Sequence, residues 1–341
     1  MTERRYPKWK PGIELRDDWL NRVQEPILDP DREIVDPHHH LWRHNEDAIY
    51  ELDALHDDTG SGHRVVQTIY IECRSYYDLT APTHLQSVGE TAHVARLAAS
   101  IPKQKAQIAG IVAFADLRRD DLADTLKAHI DAGQGRLVGI RHAGARDSEP
   151  DALMIPGRGD AGLYADPDFR RGVAMLGAYG LTYDTWHYHH QAEDFHALAR
   201  STPDTTLVLD HFGTPLGVGR FTGKREEIFE VWKDDMVALA ECPNVMAKLG
   251  GLSMPDNGWG WDQRENPPTS DELVSAQGKW FRHMIACFGP DRCMFESNFP
   301  VDRVSVSYPV LWNAFKKIAA DYDEPARDAL FAGTARRVYG L

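Results

Sequence analysis

Short apolar, β-branched runs recur along this chain and alternate with longer stretches in which apolar residues return at helical spacing. Eight runs read as strands: Ile34 to His40, Val65 to Glu72, Ile108 to Ala115, Leu137 to Arg141, Leu181 to Thr185, Leu207 to Asp210, Val245 to Leu249 and Cys293 to Glu296. Between them lie helix-like segments such as Thr91 to Ser100, Asp120 to Ala132, Pro167 to Tyr179, Gln191 to Arg200, Arg225 to Cys242 and Glu272 to Phe288, and two more close the chain. Strands alternating with helices at this spacing predict a parallel sheet with helical crossovers, and eight such units predict an α/β fold, a single (β/α)8 or TIM barrel. A doubly wound open sheet fits less well, because no Gly-rich phosphate loop follows an early strand. Residues 1–33 carry charges and prolines without periodicity, so the expected division is an N-terminal arm over 1–33 and the barrel over 34–341. Two connections, Ala145 to Leu163 and Ser253 to Asp271, are long and irregular enough to be lids or pocket walls.

The formal net charge of −14 argues against nucleic acid and against an anionic membrane surface, since cations are outnumbered and form no long run. It leaves room for a local basic pocket, hence for a small-molecule substrate that is acidic or cyclic. No apolar run is long enough to span a bilayer and the start MTERRYPKWKP lacks a secretion signal, so a cytoplasmic protein is expected. The four cysteines lack metal-binding spacing and read as free thiols. The arm could order a neighbouring copy, which keeps a homo-oligomer open.

In a barrel the chemistry stands at the carboxyl ends of the strands. Those positions hold His38 and His40; Glu72 and Arg74; Arg141 and His142; Trp186, His187, His189 and His190; Asp210 and His211; Lys248; and Glu296 and Asn298. If Ile34 to His40 is extended, His38 and His40 share a face and can flank one ion or one substrate atom, while His39 points away.

The ordered motifs DPHHHLW, GIRH, LVLDHFGTP, VMAKLGGL and FESNFPVD resemble those of the amidohydrolase superfamily, in particular its lactonase-containing branch. The resemblance implies a hydrolase that opens a small cyclic ester or related carbonyl compound with activated water. It implies that His38, His40 and His211 are catalytic and hold a divalent metal, zinc or manganese, where one is bound; metal-free members leave that open. It further implies that Arg141 contacts a substrate carboxylate or carbonyl and that Lys248 faces the barrel mouth. Asn298 stands where most members carry the aspartate that activates water, and an amide cannot take that proton. Glu72 or Glu296 would have to replace it, with Glu72 preferred because Glu296 can instead sit deep in the barrel as a supporting partner. His187, Trp186 and Trp259 are the remaining expected substrate contacts. The rival readings are a metal-dependent decarboxylase of the same superfamily and a barrel that binds a small acid without turnover.

Overall fold

A computed structural model describes residues 15–43 and 49–341. Eight parallel strands form one sheet in sequence order: β1 (Glu33–His39), β2 (Arg64–Ile71), β3 (Gln107–Ala113), β4 (Leu137–Arg141), β5 (Thr182–Thr185), β6 (Leu207–Leu209), β7 (Val245–Leu249) and β8 (Cys293–Phe295). Just beyond their ends the two edge strands meet: Asn298 N donates to His38 O at 3.0 Å and His40 N to Phe299 O at 2.8 Å, so the barrel nearly closes. The strand and helix expectations are met to within a few residues. No helix of the described residues is long and apolar enough to cross a membrane.

Pleating sorts the strand residues into two apolar layers. Ile34, Tyr70, Ile111, Ile140, Tyr183 and Leu249 point outward and pack under the helices. Val35, Ile69, Ile71, Val112, Val208 and Met294 point inward, where Ala332, Ala335 and Tyr339 from the C-terminal segment plug the floor. The helix Ser270–Phe288 illustrates the outer ring. Thr269 and Glu272 form a reciprocal capping box at its start, and Leu273, Trp280, Phe281, Met284 and Ile285 bury one face at three-to-four spacing.

Simple alternation does not survive along β1. Its register against β2 shifts between Asp36 and His39, a local irregularity that lets Val35 and His38 both face the barrel interior. His39 remains on the outer side, where Thr68 Oγ1 lies 3.1 Å from its Nε2.

Residues 15–32 lie against the body ahead of β1. Trp19 is buried and its indole donates to the carbonyls of Arg264 and Glu265, both at 3.0 Å, while Glu25 accepts from Ser270 N at 2.7 Å. The rest of the expected arm, residues 1–14, lies outside the described residues. Both long connections are pinned. Asp256 accepts from the backbone N–H groups of Met154 and Ile155 at 2.6 and 3.0 Å, tying the wall after β4 to the loop after β7.

Candidate active site

Above the apolar floor, the inward positions of β5 to β8 change from aliphatic to charged: Asp184, Asp210, Lys248 and Glu296 are all fully buried. Lys248 Nζ donates to Asp184 Oδ2 at 2.8 Å and lies 3.1 Å from Asp210 Oδ1; Tyr339 donates to Asp184 Oδ2 from below at 2.5 Å. Burial alone would lower the Lys248 ammonium, but the flanking carboxylates hold it above its ordinary value. Its expected place at the mouth, in contact with substrate, gives way to one inside the barrel. A lysine ringed by two carboxylates is an internal counter-ion.

Glu296 organises the histidines. Its Oε1 lies 2.6 Å from His211 Nδ1 and its Oε2 lies 2.9 Å from His38 Nδ1. Burial pushes its carboxyl up, yet the neighbouring His211 and His38 outweigh that and hold it at about 2, so it is ionised and can only accept. The shorter contact decides the tautomer: both rings keep a proton on Nδ1 for Glu296, and Lys248 Nζ, 3.4 Å from His38 Nδ1, is held by its two aspartates instead. Asp210, the sequence neighbour of His211, does not orient it: β6 ends at Leu209, His211 leaves the strand with a left-handed φ of +56°, and its Nδ1 meets Glu296 while Asp210 faces Lys248.

This placement depends on the adjacent glycines of the seventh-strand motif. A Cβ on Gly250 would sit 2.1 Å from Glu296 O and 2.4 Å from its Cγ, and one on Gly251, whose φ is +75°, would sit 2.5 Å from His211 Nδ1. The pair makes room for the carboxylate and for one imidazole that it holds.

His40 is held differently. Its Nδ1 lies 2.9 Å from the carbonyl of Ile71, which fixes the proton there as well. Its Nε2 then faces His38 Nε2 at 3.3 Å. Two nitrogens bound to a tetrahedral ion at about 2.0–2.1 Å lie about 3.3 to 3.4 Å apart. Two lone pairs facing each other across that distance repel unless a cation stands near both. A proton is disfavoured, because burial first, with cationic neighbours such as Lys248 for His38 and Arg141 for His40, holds both rings well below their ordinary value. Nearby, Glu72, Asp184, Asp210 and Glu296 pair, among the described residues, with Lys248 and Arg141 as their permanent cations. Donor chemistry and charge excess both fit a divalent ion. His38, His211 and Glu296 also form a cluster with donor atoms within 4.8 Å of one another. Since both Nδ1 atoms are engaged by Glu296, the carboxylate fits as a support behind the ligands rather than as a ligand.

A cavity of about 260 Å³ opens over this group, lined in part by His40, Glu72, Arg141, Trp186, His211 and Asn298. His38 lies fully buried beneath it. Arg141 donates through Nε to Glu72 Oε1 at 2.9 Å and through a terminal nitrogen to Glu72 O at 2.5 Å, and a third nitrogen is 3.5 Å from Asp210. The guanidinium expected to bind substrate is thus already neutralised. Glu72 Oε2, in contrast, is buried without a hydrogen-bond partner among the described residues. Asn298 has a left-handed φ of +55°, a conformation asparagine tolerates, and its amide donates to Asp302 Oδ2 at 2.7 Å.

Two expected contacts are not brought to the cavity. His187 is fully buried between Tyr164 and Phe195, with ring centroids 5.9 and 4.9 Å away. Trp259 stacks under the guanidinium of Arg225 at 3.7 Å and beside Trp261, closing the loop after β7 on itself. In their place the wall after β4 supplies Met154, Ile155, Pro156 and Arg158. The length of that connection was the only signal for them.

An eight-stranded barrel with imidazoles and carboxylates converging at the carboxyl ends of its strands defines a class of enzyme. The chain matches the amidohydrolase family model over residues 35–341 and belongs to that family. It is 31% identical to an uncharacterised protein, y4mH, of Sinorhizobium fredii over 90% of this chain and 98% of that one. It is 29% identical to the L-fucono-1,5-lactonase of Burkholderia multivorans, over 90% and 96% of the two chains. Among solved structures, an amidohydrolase from Burkholderia multivorans with bound zinc superposes with a TM-score of 0.72 at 26% identity, covering 90% of this chain and 99% of that one.

Proposed function

We propose that this enzyme hydrolyses a small cyclic ester, a lactone or close carbonyl relative, in the cytoplasm, with a divalent ion, zinc or manganese, held by His38, His40 and His211. The observation that carries the reading is the pair of Nε2 atoms of His38 and His40, 3.3 Å apart beside a buried carboxylate excess, with an acceptor at each Nδ1. The lactonase relative and the zinc-bound relative support it. When bound, such an ion polarises a carbonyl and acidifies coordinated water.

The chain's own groups supply the remainder. Glu72, oriented by Arg141, has one oxygen free to take the proton of the attacking water. Asn298 cannot replace it as base, but with its amide nitrogen engaged by Asp302 it presents a neutral acceptor that orients water. Glu296 keeps the His38 and His211 rings in the Nδ1–H tautomer. Collapse of the tetrahedral oxyanion breaks the ring C–O bond, and the leaving alkoxide recovers the proton from Glu72, giving a hydroxy acid.

The test is hydrolysis across a panel of five- and six-membered lactones, before and after chelation and after zinc or manganese is restored. Ring opening that is lost on chelation and regained with metal is expected. Inactivity toward every lactone with a metal-loaded site would overturn the reading.

A further inference from the structure

The cavity mouth carries two guanidiniums that no described carboxylate neutralises. Arg74 and Arg158 both line it, and among the described residues neither forms a hydrogen bond or ion pair. The Arg74 guanidinium lies over the ring of Phe114, 5.7 Å from its centroid. This runs against the bias of a chain with a net charge of −14, in which a stray surface cation has many acids to meet.

Both side chains are presented by backbone pinned on either side. The buried carboxylate of Glu90 accepts from Cys73 N at 3.1 Å and Ser75 N at 2.8 Å, and Arg74, caught between them, adopts a left-handed φ of +60°. A non-glycine residue enters that region at a cost that its surroundings must impose. Arg158 stands between Gly157 and Gly159, whose missing Cβ atoms would meet Ala145 O at 2.2 Å and Gly144 O at 2.3 Å. Gly157 N donates to Tyr188 Oη at 2.7 Å and Gly159 N to Ala145 O at 2.8 Å. The two guanidiniums line one cavity, and burial, with the charge of Arg74 behind it, holds that of Arg158 below its ordinary value. Much of the remaining lining is apolar: Trp42, Met154, Ile155, Pro156, Met254 and Val301.

We propose that Arg74 and Arg158 form an anion subsite at the cavity mouth, receiving the carboxylate of a small acid whose uncharged ring or chain lies against the apolar wall. The assignment rests on the reading of this cavity as the substrate site, and it moves the anion contact from Arg141, which Glu72 and Asp210 already occupy, to two cations with nothing to hold. A planar carboxylate between two guanidiniums relieves their repulsion and gains charge-assisted hydrogen bonds.

The experiment is calorimetric titration of the zinc-loaded full chain with isophthalate and with its neutral counterpart isophthalamide. Isophthalate is expected to bind at least about tenfold more tightly, and Arg74→Gln or Arg158→Gln to weaken it about tenfold each, since a hydrogen bond to a charged group is worth about that factor. Arg74→Lys and Arg158→Lys should recover part of the loss, and added salt should weaken isophthalate alone. Arg200→Gln, on the helix Ala192–Ser201, should change nothing. Equal binding of acid and amide, insensitivity to both substitutions, or an equal loss in Arg200→Gln would overturn the subsite. The measurement reads binding and not turnover, so failed lactone hydrolysis with an intact acid preference is a separate result.

Discussion

Glu296→Gln isolates the group on which the histidine arrangement depends. The side chain keeps its shape but exchanges an ion that accepts twice for an amide that accepts once and donates once. The amide oxygen can still take the Nδ1–H of His211, now 2.6 Å from the carboxylate. Its NH2 must then face the Nδ1–H of His38, 2.9 Å from the other oxygen. Two donors cannot share that contact, so the His38 proton moves to Nε2 and the lone pair facing His40 is lost. Loss of such a supporting partner typically costs 10- to 100-fold in metal affinity, or about 1.4 to 2.7 kcal/mol. Equilibrium competition for zinc against a chromophoric chelator at neutral pH measures it. Glu296→Asp, which keeps the charge on a shorter arm, should lose less. Zinc binding by a folded Glu296→Gln chain within twofold of the wild type would refute the tautomer argument.

Glu72→Gln should lower kcat by about 10²- to 10⁴-fold while zinc content holds, because it removes a proton acceptor and not a ligand; unchanged kcat on a lactone turned over by the wild type would remove Glu72 as the base. Gly250→Ala should destabilise the fold by about 1 to 3 kcal/mol in chemical denaturation, since the new methyl meets buried Glu296 atoms with no room to yield. His129 sets an acid-sensitive step between two outer helices: Thr91 Oγ1 lies 2.8 Å from its Nδ1, the carbonyl of Phe114 lies 3.0 Å from its Nε2, and burial lowers the ring to about 4. The folded state thus refuses a proton that the unfolded chain takes below about pH 6.5. Stability should fall by up to about 3 kcal/mol as pH drops from 6.5 to 4, and His129→Gln should flatten that part of the curve in urea titrations.

The architecture was legible because it is written in local periodicity: eight apolar runs with crossovers of helical spacing leave a parallel barrel as the economical arrangement, and strand-end positions select candidates for chemistry. His40, Glu72, Arg141, Trp186, His211 and Asn298 were found that way, and they line one cavity. What the sequence did not reveal turns on distance across the barrel. An alternating pattern puts His38 on the inner face only by ignoring the register shift at Asp36. Lys248 reads equally well as a mouth residue or a buried one until Asp184 and Asp210, from two other strands, are seen around it. No motif says that Arg141 is spent on Glu72 while Arg74 and Arg158 meet no counter-ion among the described residues. Local patterning determines which face of an element is apolar; which charges neutralise one another, which ring nitrogens keep their protons and which cations remain for a ligand are set by contacts between residues tens to hundreds of positions apart, and only the folded barrel decides them.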